Sequence, residues 1–246
     1  MVSESFQALG PHFAIDLPGA RALFTTRRGG HSRGPYRSLN LGLLTDDAPE
    51  AVDRNRAAVQ EQVGAPRLSF VRQVHGAEVL RIGEPAPAGA PGAPPVADGQ
   101  ATDRPGVAAA ALVADCLPVA VAGGGAVAML HAGWRGLAGG VLAAGVRAVR
   151  ELGDGGPLAA AIGPGAGGCC YEVGAEVHAA FADVPEAHRG ALLDLKAIAR
   201  AQLRREAVEV VHDIGLCTLC ADPELLFSHR RDHGVTGRQA GIAWLT

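Results

Sequence analysis

The feature that most constrains the fold is a pair of apolar runs separated by three consecutive glycines, LPVAVAGGGAVAMLHA, at residues 117–132. Short apolar runs joined by a turn signal indicate two antiparallel strands. With the turn centred on Gly124, position 116 lies opposite 132 and diagonal to 131, and opposed side chains have Cβ atoms about 5 Å apart. We therefore expect Cys116 and His131 to meet at the open end of this hairpin, with a bulge or a one-residue offset bringing them together.

The rest of the chain mixes helices and strands without a strict βαβ alternation. Residues 46–64 begin with Asp, carry Pro in the first turn and end at Gly, which predicts a helix. A long segment rich in Pro, Gly and Ala, residues 84–106, predicts an exposed loop. The pattern favours an α+β fold over a doubly wound sheet, as a single domain over residues 1–246. Further strands are predicted at 20–27, 68–83, 157–165, 208–215 and 240–246, and helices at 136–153, 172–182 and 193–207.

Composition narrows the functional classes. The net charge of −3 provides no basic footprint for nucleic acid. The N-terminus lacks a secretory signal, and the longest apolar region, Val107 to Leu130, is interrupted by Asp115, Pro118 and glycines, so it cannot span a bilayer as one helix. We expect a cytoplasmic protein that binds neither membrane nor nucleic acid. Its five cysteines, an odd number, then indicate thiols or metal ligands rather than a disulfide framework.

Cys116 and His131 are residue types that bind zinc. A catalytic zinc site uses three protein ligands and leaves one position open. The third ligand that the sequence offers is His75 in QVHG, where Gly76 could let the backbone turn the imidazole inward. The alternative is that Cys116 is a small buried apolar residue and that each histidine caps a loop.

Several motifs in one order identify a resemblance. The segments FTTRRGGHSRGPYRSLNLG, QVHG, VADCLPV, HAGWRG, IGPGAGGCCYEVG and SHRRDHGVTGR resemble the laccase-domain-like family over residues 24–244. Its members are also called YfiH-like proteins, polyphenol oxidases or peptidoglycan editing factors, and are described as purine nucleoside phosphorylases. The fold implied by the resemblance is an α+β sandwich whose sheets are flanked by helices.

The resemblance also implies a site and an activity. Its zinc ligands fall on His75, Cys116 and His131, with copper as a substitute metal. The activities are phosphorolysis of adenosine, inosine and methylthioadenosine, and hydrolytic deamination of adenosine, so the partners are purine nucleosides and phosphate. Matching motifs place four polar residues near the substrate or phosphate, and arginine offers a planar fork for phosphate; these residues are Arg27, Ser38, Asn40 and Arg135. For the two arginines, a structural salt bridge to a loop carboxylate is the alternative.

Three other functions stay open. Cys116 could be the nucleophile of a cysteine hydrolase, with His131 or His75 as its base. The loop arginines could bind a cytoplasmic cell-wall precursor, as an editing factor requires. A copper-dependent polyphenol oxidase is disfavoured in its multicopper form, because none of the nine histidines forms a His-x-His pair.

Further motifs could carry chemistry elsewhere in the chain. GPGAGG at residues 163–168 satisfies a weak dinucleotide-binding pattern, but no clear strand ending in an acidic ribose ligand follows, so we expect these glycines to shape a turn. Cys217 and Cys220, followed by His229 and His233, have a spacing reminiscent of a structural zinc site, although the central spacer is short. Their alternative is a pair of cysteines packed near the surface.

Three smaller features complete the set of candidates. Cys169 and Cys170 lie on a glycine turn before a helix, where a helix dipole could stabilise a thiolate. Asp115 is expected to support the site rather than act as a base. Arg230, Arg231 and Asp232 predict either an internal ion-pair cluster or a solvated charge run.

Overall fold

The computed structural model describes residues 2–64, 67–83, 94–208 and 210–246. Two six-stranded sheets pack face to face, and helices cover the outer face of each sheet. The predicted α+β class, a mixed β-sandwich flanked by helices, is therefore confirmed.

The first sheet carries one long helix on its outer face. This helix, α1, begins with Pro49 and ends before Gly64, whose φ of 78° is the left-handed C-cap that favours glycine. Val59 and Val63 of the helix and Trp244 of the sheet belong to one buried apolar cluster. The helix is α1 (Pro49–Val63), and the strand order is β1 (Gln7–Leu9), β2 (His12–Leu17), β3 (Ala20–Phe24), β14 (Gln239–Leu245), β7 (Val107–Val113) and β4 (Arg67–Ser69).

The second sheet is buried on both faces. Its outer face packs against helices, so every residue of its two central strands is buried and the strands are continuously apolar rather than alternating. The strand order is β13 (Val210–Asp213), β10 (Ala159–Ile162), β8 (Leu117–Gly123), β9 (Ala126–Ala132), β6 (Gly99–Thr102) and β5 (Val79–Arg81). The remaining elements are α2 (Trp134–Ala138), α3 (Val141–Leu152), α4 (Ala175–Ala179), α5 (Leu195–Arg205), the ribbon β11 (His188–Arg189) and β12 (Leu192–Leu193), and two 3₁₀ turns at Gly34–Tyr36 and Pro185–Ala187.

Alanine fills much of the space between the two sheets. Facing residues in this layer include Ala109 and Ala243 from the first sheet and Ala120 and Ala161 from the second. Small side chains allow the sheets to approach closely, and adding methylene groups to such a core typically costs about 1–3 kcal/mol. The low aromatic content of 4% is a direct consequence of this packing.

The central hairpin forms, but its predicted register is wrong by one residue. Gly123 pairs with Ala126 and Leu117 with Ala132, so position 116 extends to face 133 rather than 132. The turn has two central residues, Gly124 and Gly125, with φ of 58° and 77°. Positive φ at both positions is characteristic of the two-residue turns that match strand twist, and this turn replaces the three-residue turn that symmetry about Gly124 assumes.

Two other predictions need correction. The segment predicted as an exposed loop contains β6, which pairs with β9 and is fully buried; residues 84–93 of that segment lie outside the described residues. The helix predicted over 136–153 is divided into α2 and α3 at Gly139 and Gly140, where Gly140 adopts a φ of 84°. Across the described ranges, no helix is both long enough and apolar enough to traverse a lipid bilayer.

His12 in β2 makes stability depend on pH. Its side chain is 2% exposed and its Nδ1 accepts a hydrogen bond from the Thr26 amide, so burial lowers its pKa to about 4. The His12 imidazole of the unfolded chain binds a proton near pH 6.5, whereas that of the folded chain does not. The contribution of neutral His12 to the free energy of unfolding is therefore complete above pH 6.5 and is lost as pH falls towards 4.

We expect His12→Asn, whose Oδ1 can also accept from Thr26, to remove this pH dependence. The wild-type free energy of unfolding should fall by about 3 kcal/mol more than that of the variant between pH 7 and pH 4. Urea unfolding of both proteins across this range measures the difference. Parallel pH curves would contradict the assignment.

Candidate metal centre

The three predicted metal ligands meet at one end of the sandwich. Cys116 lies where the chain passes from β7 in the first sheet to β8 in the second. His75 lies on the connection from β4 to β5, which also links the two sheets, and His131 lies near the end of β9. These two of the sheet-to-sheet connections therefore reach the end of the hairpin, which brings together residues distant in sequence.

The donor atoms are close enough to share one ion. Single donor atoms of His75, Cys116 and His131 all lie within 4.8 Å of one another. The two imidazoles have centroids 4.9 Å apart and an interplanar angle of 69°, so they converge rather than stack. His131 is buried whereas His75 is exposed, so the cluster has a closed side and an open side.

Asp98 orients both histidines and was missed by the sequence analysis. One carboxylate oxygen accepts from the His75 amide and lies 2.8 Å from Nδ1 of His131, while the other accepts from the amides of Val74 and Gly76. A carboxylate on Nδ1 leaves Nε2 of His131 available as a ligand. Asp98 immediately precedes β6, and predicting a loop there hid its significance.

The backbone conformation of His75 differs from the predicted one. His75 itself adopts a φ of 61°, in the left-handed region that non-glycine residues rarely occupy. The predicted pivot, Gly76, is not among the positive-φ glycines. The three amides bound to Asp98 hold the turn at His75, so the imidazole is directed by a buried carboxylate rather than by a flexible neighbour.

Electrostatics favour a thiolate at Cys116. Burial alone would raise the pKa of Cys116, but the positive charge of His131 and hydrogen bonds from both imidazoles lower this pKa to about 6. Conversely, burial opposes protonation of His131, while the Cys116 thiolate and Asp98 raise the pKa of His131 to about 9. A thiolate is the form of cysteine that binds metal or attacks an electrophile.

Asp115 supports the backbone of Cys116. It has a φ of 89°, and its side chain accepts hydrogen bonds from the hydroxyls of Thr218 and Ser228 and from the Arg230 amide. Gly165 lies behind this segment, where an added Cβ would be 3.2 Å from the Cys116 carbonyl oxygen. Asp115 therefore positions the cysteine, in agreement with its expected supporting role.

Polar side chains of the loop after β3 form hydrogen bonds with backbone groups of the protein. Arg27 donates to the carbonyl oxygens of Pro223, Arg37 and Pro35, with its guanidinium 4.4 Å from the Phe227 ring centroid. The salt bridge to a carboxylate considered for Arg27 is replaced by these carbonyl contacts.

Ser38 and Asn40 are held in the same way. The Ser38 hydroxyl donates to the Arg27 carbonyl and accepts from the Gly30 amide. Asn40 is fully buried, donates to Thr45 and Asp47, and accepts from two amides, those of Gly42 and Arg238. The predicted contacts of Arg27, Ser38 and Asn40 with substrate or phosphate stay predictions.

Three other arginines carry charge close to Tyr171 or Cys116. Arg135 is exposed on α2, and its guanidinium lies 4.3 Å from the Trp134 ring centroid. Arg230 lies 4.6 Å from the Tyr171 ring centroid, and the charges of both arginines oppose the rise in the pKa of Tyr171 that burial causes. Arg238, which sequence analysis also missed, is held near Cys116: burial lowers the pKa of its guanidinium, and the charges of Cys116 and Asp115 counter this shift.

The charged SHRRD segment forms an internal ion pair. Arg231 lies 2.7 Å from Asp232 and also donates to the carbonyl oxygens of Thr218 and Leu226. Asp232 accepts from the Thr236 hydroxyl. Of the two interpretations of this segment, the ion-pair cluster supporting the site is therefore the one the geometry favours.

The remaining motifs form neither a dinucleotide site nor a site of two cysteines and two histidines within the described residues. The GPGAGG segment forms the expected turn, which packs behind Cys116, and α4 begins only at Ala175, so the glycines do not open a helix. Cys217 and Cys220 group with Cys169 and Cys170, and within the described ranges His229 and His233 do not join that group.

Gly133 provides a steric test of the centre. A Cβ added there would lie 2.7 Å from Cys116 Sγ and 3.3 Å from His75 Cδ2, although the backbone of Gly133, with φ of −77°, accepts any residue. We expect Gly133→Ala to displace a ligand and weaken zinc binding roughly 10–100-fold, as changes next to metal ligands typically do.

Competition with a chromophoric chelator measures this affinity. Gly83→Ala is the matched control, because no atom of the described residues lies within 4 Å of a Cβ at Gly83. Equal affinities for the two variants would refute the ligand geometry.

Comparisons with known proteins agree with this fold. Residues 21–246 match the family described as multi-copper polyphenol oxidoreductase laccase. The chain is 41% identical to a purine nucleoside phosphorylase from Xylella fastidiosa, covering 93% of each chain, and 37% identical to the purine nucleoside phosphorylase YfiH of Escherichia coli, covering 92% of this chain and 94% of the relative. The crystal structure of a hypothetical protein YfiH from Bacillus licheniformis is similar with a TM-score of 0.88 at 30% identity, covering 99% of this chain and all of that one.

Proposed function

Because the chain belongs to the laccase-like YfiH family, we propose that it is a zinc-dependent purine nucleoside phosphorylase with adenosine deaminase activity. Phosphorolysis converts a nucleoside and phosphate to a free base and a pentose 1-phosphate; the substrates are adenosine, inosine and methylthioadenosine. Deamination converts adenosine and water to inosine and ammonia. The observation that carries this proposal is the convergence of His75, Cys116 and His131 beside an open side of the site.

The donor set fits zinc. Two imidazoles and one thiolate are three protein ligands of the types that zinc binds, and a catalytic zinc site keeps its fourth position open. The contact between Asp98 and His131 Nδ1 is the outer-shell interaction common to such histidines. The same donors can bind copper in place of zinc, which accounts for the laccase description of the family without a multicopper cluster.

The chain's own residues would bind and orient the substrates. A bound zinc would supply Lewis-acid polarisation of a substrate oxygen. Arg135, exposed beside the ligands, would hold the phosphate dianion, and Arg238 would contribute positive charge from the buried side. Asp98 would keep the His131 proton on Nδ1, and the Arg27, Ser38 and Asn40 loop would shape the nucleoside pocket.

Product analysis tests both activities directly. Zinc-loaded protein is incubated with adenosine, with and without phosphate, and the products are identified by mass spectrometry. Phosphate-dependent adenine and ribose 1-phosphate establish phosphorolysis, and phosphate-independent inosine establishes deamination. Absence of all three products from protein containing the metal would refute the proposed activity.

A cysteine hydrolase is a second candidate because of one observation. Cys116, His131 and Asp98 follow one another in the order nucleophile, base and orienting carboxylate. The two candidates respond oppositely to metal removal: a chelator abolishes the zinc enzyme's turnover but frees the thiolate of a hydrolase. Alkylation by iodoacetamide that zinc blocks and substrate alone does not would favour the metal enzyme.

A further inference from the structure

Four of the five cysteines converge at a second place in the fold. The Sγ atoms of Cys169, Cys170, Cys217 and Cys220 all lie within 4.8 Å of one another. Cys169 Sγ lies 3.5 Å from both Cys220 Sγ and Cys170 Sγ. A disulfide requires about 2.05 Å between sulfurs, so the cluster consists of four separate thiols.

The backbone around the cluster is arranged to stabilise a thiolate. The Gly167 amide donates to Cys217 Sγ at 3.2 Å, and the segment from Cys217 to Ala221 forms a tight turn closed by the Ala221 amide on the Cys217 carbonyl. A Cβ at Gly167 would lie 3.1 Å from Cys217 Cβ and 3.2 Å from Cys169 Sγ. Glycine therefore lets one loop approach the sulfurs of both cysteine pairs.

We propose that these four cysteines form a closed, structural zinc site. Four thiolates at about 2.3 Å from a tetrahedral zinc have sulfurs about 3.8 Å apart, which is close to the separations observed. Two Cys-rich segments contribute two ligands each, and no coordination position remains for water. This site is separate from the His75, Cys116 and His131 centre, and it does not depend on the proposed function.

The location of the cluster gives it a structural role. It joins residues 163–171, which follow β10, to residues 215–221, which follow β13. The same two segments are bridged by the Thr218 amide, which donates to the Gly165 carbonyl, and Thr218 also binds Asp115 beside Cys116. Zinc bound here would fix the support behind Cys116 and add its binding free energy to the stability of the fold.

Zinc content of purified protein tests the proposal. Proteins are prepared from zinc-supplemented cells in a phosphine reductant, and metal is measured by mass spectrometry. We expect two zinc ions per chain in the wild type, one in Cys116→Ala, one in Cys220→Ser and none in the double variant. His233→Ala, which removes a histidine of the alternative spacing, should retain both ions.

Cys116→Ala retains all four cysteines of the cluster, so a test on this variant does not depend on whether Cys220→Ser folds. Titrating this variant with a mercurial should release its single zinc only as four thiols react, which a chromophoric indicator follows. Absence of zinc from folded Cys116→Ala protein would overturn the four-cysteine site. One zinc in both wild type and Cys116→Ala would retain this site but refute the centre that the proposed function requires.

Discussion

Cys116→Ala is expected to abolish zinc binding at the His75, Cys116 and His131 centre and to lower kcat/KM for adenosine phosphorolysis and deamination together. Two imidazoles alone, one of them exposed, form a weak site. The loss should exceed the roughly 10–100-fold effect of changing an outer-shell residue. Both activities should fall in parallel, because the proposed function assigns both reactions to this centre.

The measurement pairs steady-state kinetics with metal content. Adenine and inosine formation are followed by chromatography, and the unfolding midpoint in urea verifies that the variant is folded. Cys116→Ser, which leaves an oxygen in place of the sulfur, should show an intermediate zinc affinity, because a neutral hydroxyl is a poorer ligand than a thiolate. Full activity in folded Cys116→Ala protein that has lost the zinc of the His75, Cys116 and His131 centre would refute the metal mechanism.

Local chemistry was sufficient to predict several elements of the sandwich. The apolar runs around the glycines predict β8 and β9, and Pro49 and Gly64 mark the ends of α1 because their backbone preferences act locally. The hairpin alone predicts that Cys116 and His131 lie near one another, without knowledge of how it packs against the other strands. The predicted register of β8 with β9 was wrong, because the turn uses two glycines rather than three.

Long-range contacts set the parts that sequence patterns missed. β6 carries only Gly99–Thr102 and follows a Pro-rich segment, so its strand character comes from pairing with β9 and β5. The unusual φ of His75 depends on Asp98, twenty-three residues away in sequence. The four-cysteine cluster similarly joins segments about fifty residues apart. The sequence spacing instead suggested that Cys217 and Cys220 form a site with His229 and His233.

The Asp98 carboxylate serves both the fold and the proposed metal centre. Burial raises its pKa, but the hydrogen bond to His131 and those from the backbone outweigh burial and lower the pKa below its usual value. The ionised carboxylate thus holds the His75 turn and orients His131 at once. Its contribution to stability is present at neutral pH and is lost as acid protonates the carboxylate.

Asp98→Asn is therefore expected to affect both metal affinity and stability. Asparagine keeps the shape, but its amide NH₂ faces backbone N–H groups where the second carboxylate oxygen had accepted from Val74 and Gly76. Loss of charged hydrogen bonds should lower the free energy of unfolding by about 2–4 kcal/mol. Zinc affinity should fall roughly 10–100-fold because a neutral amide oxygen replaces the charged carboxylate that orients His131.

Two control variants separate these effects. Asp16→Asn removes an exposed carboxylate, 3.3 Å from Arg21, and should change stability by less than about 1 kcal/mol. His12→Asn perturbs a buried residue of the first sheet away from the ligands and should leave zinc affinity unchanged. Chelator competition and urea unfolding are measured on all three variants. If Asp98→Asn loses stability but binds zinc as the wild type does, Asp98 supports the backbone alone; a loss of affinity, with His12→Asn unaffected, makes Asp98 a positioning residue of the metal centre.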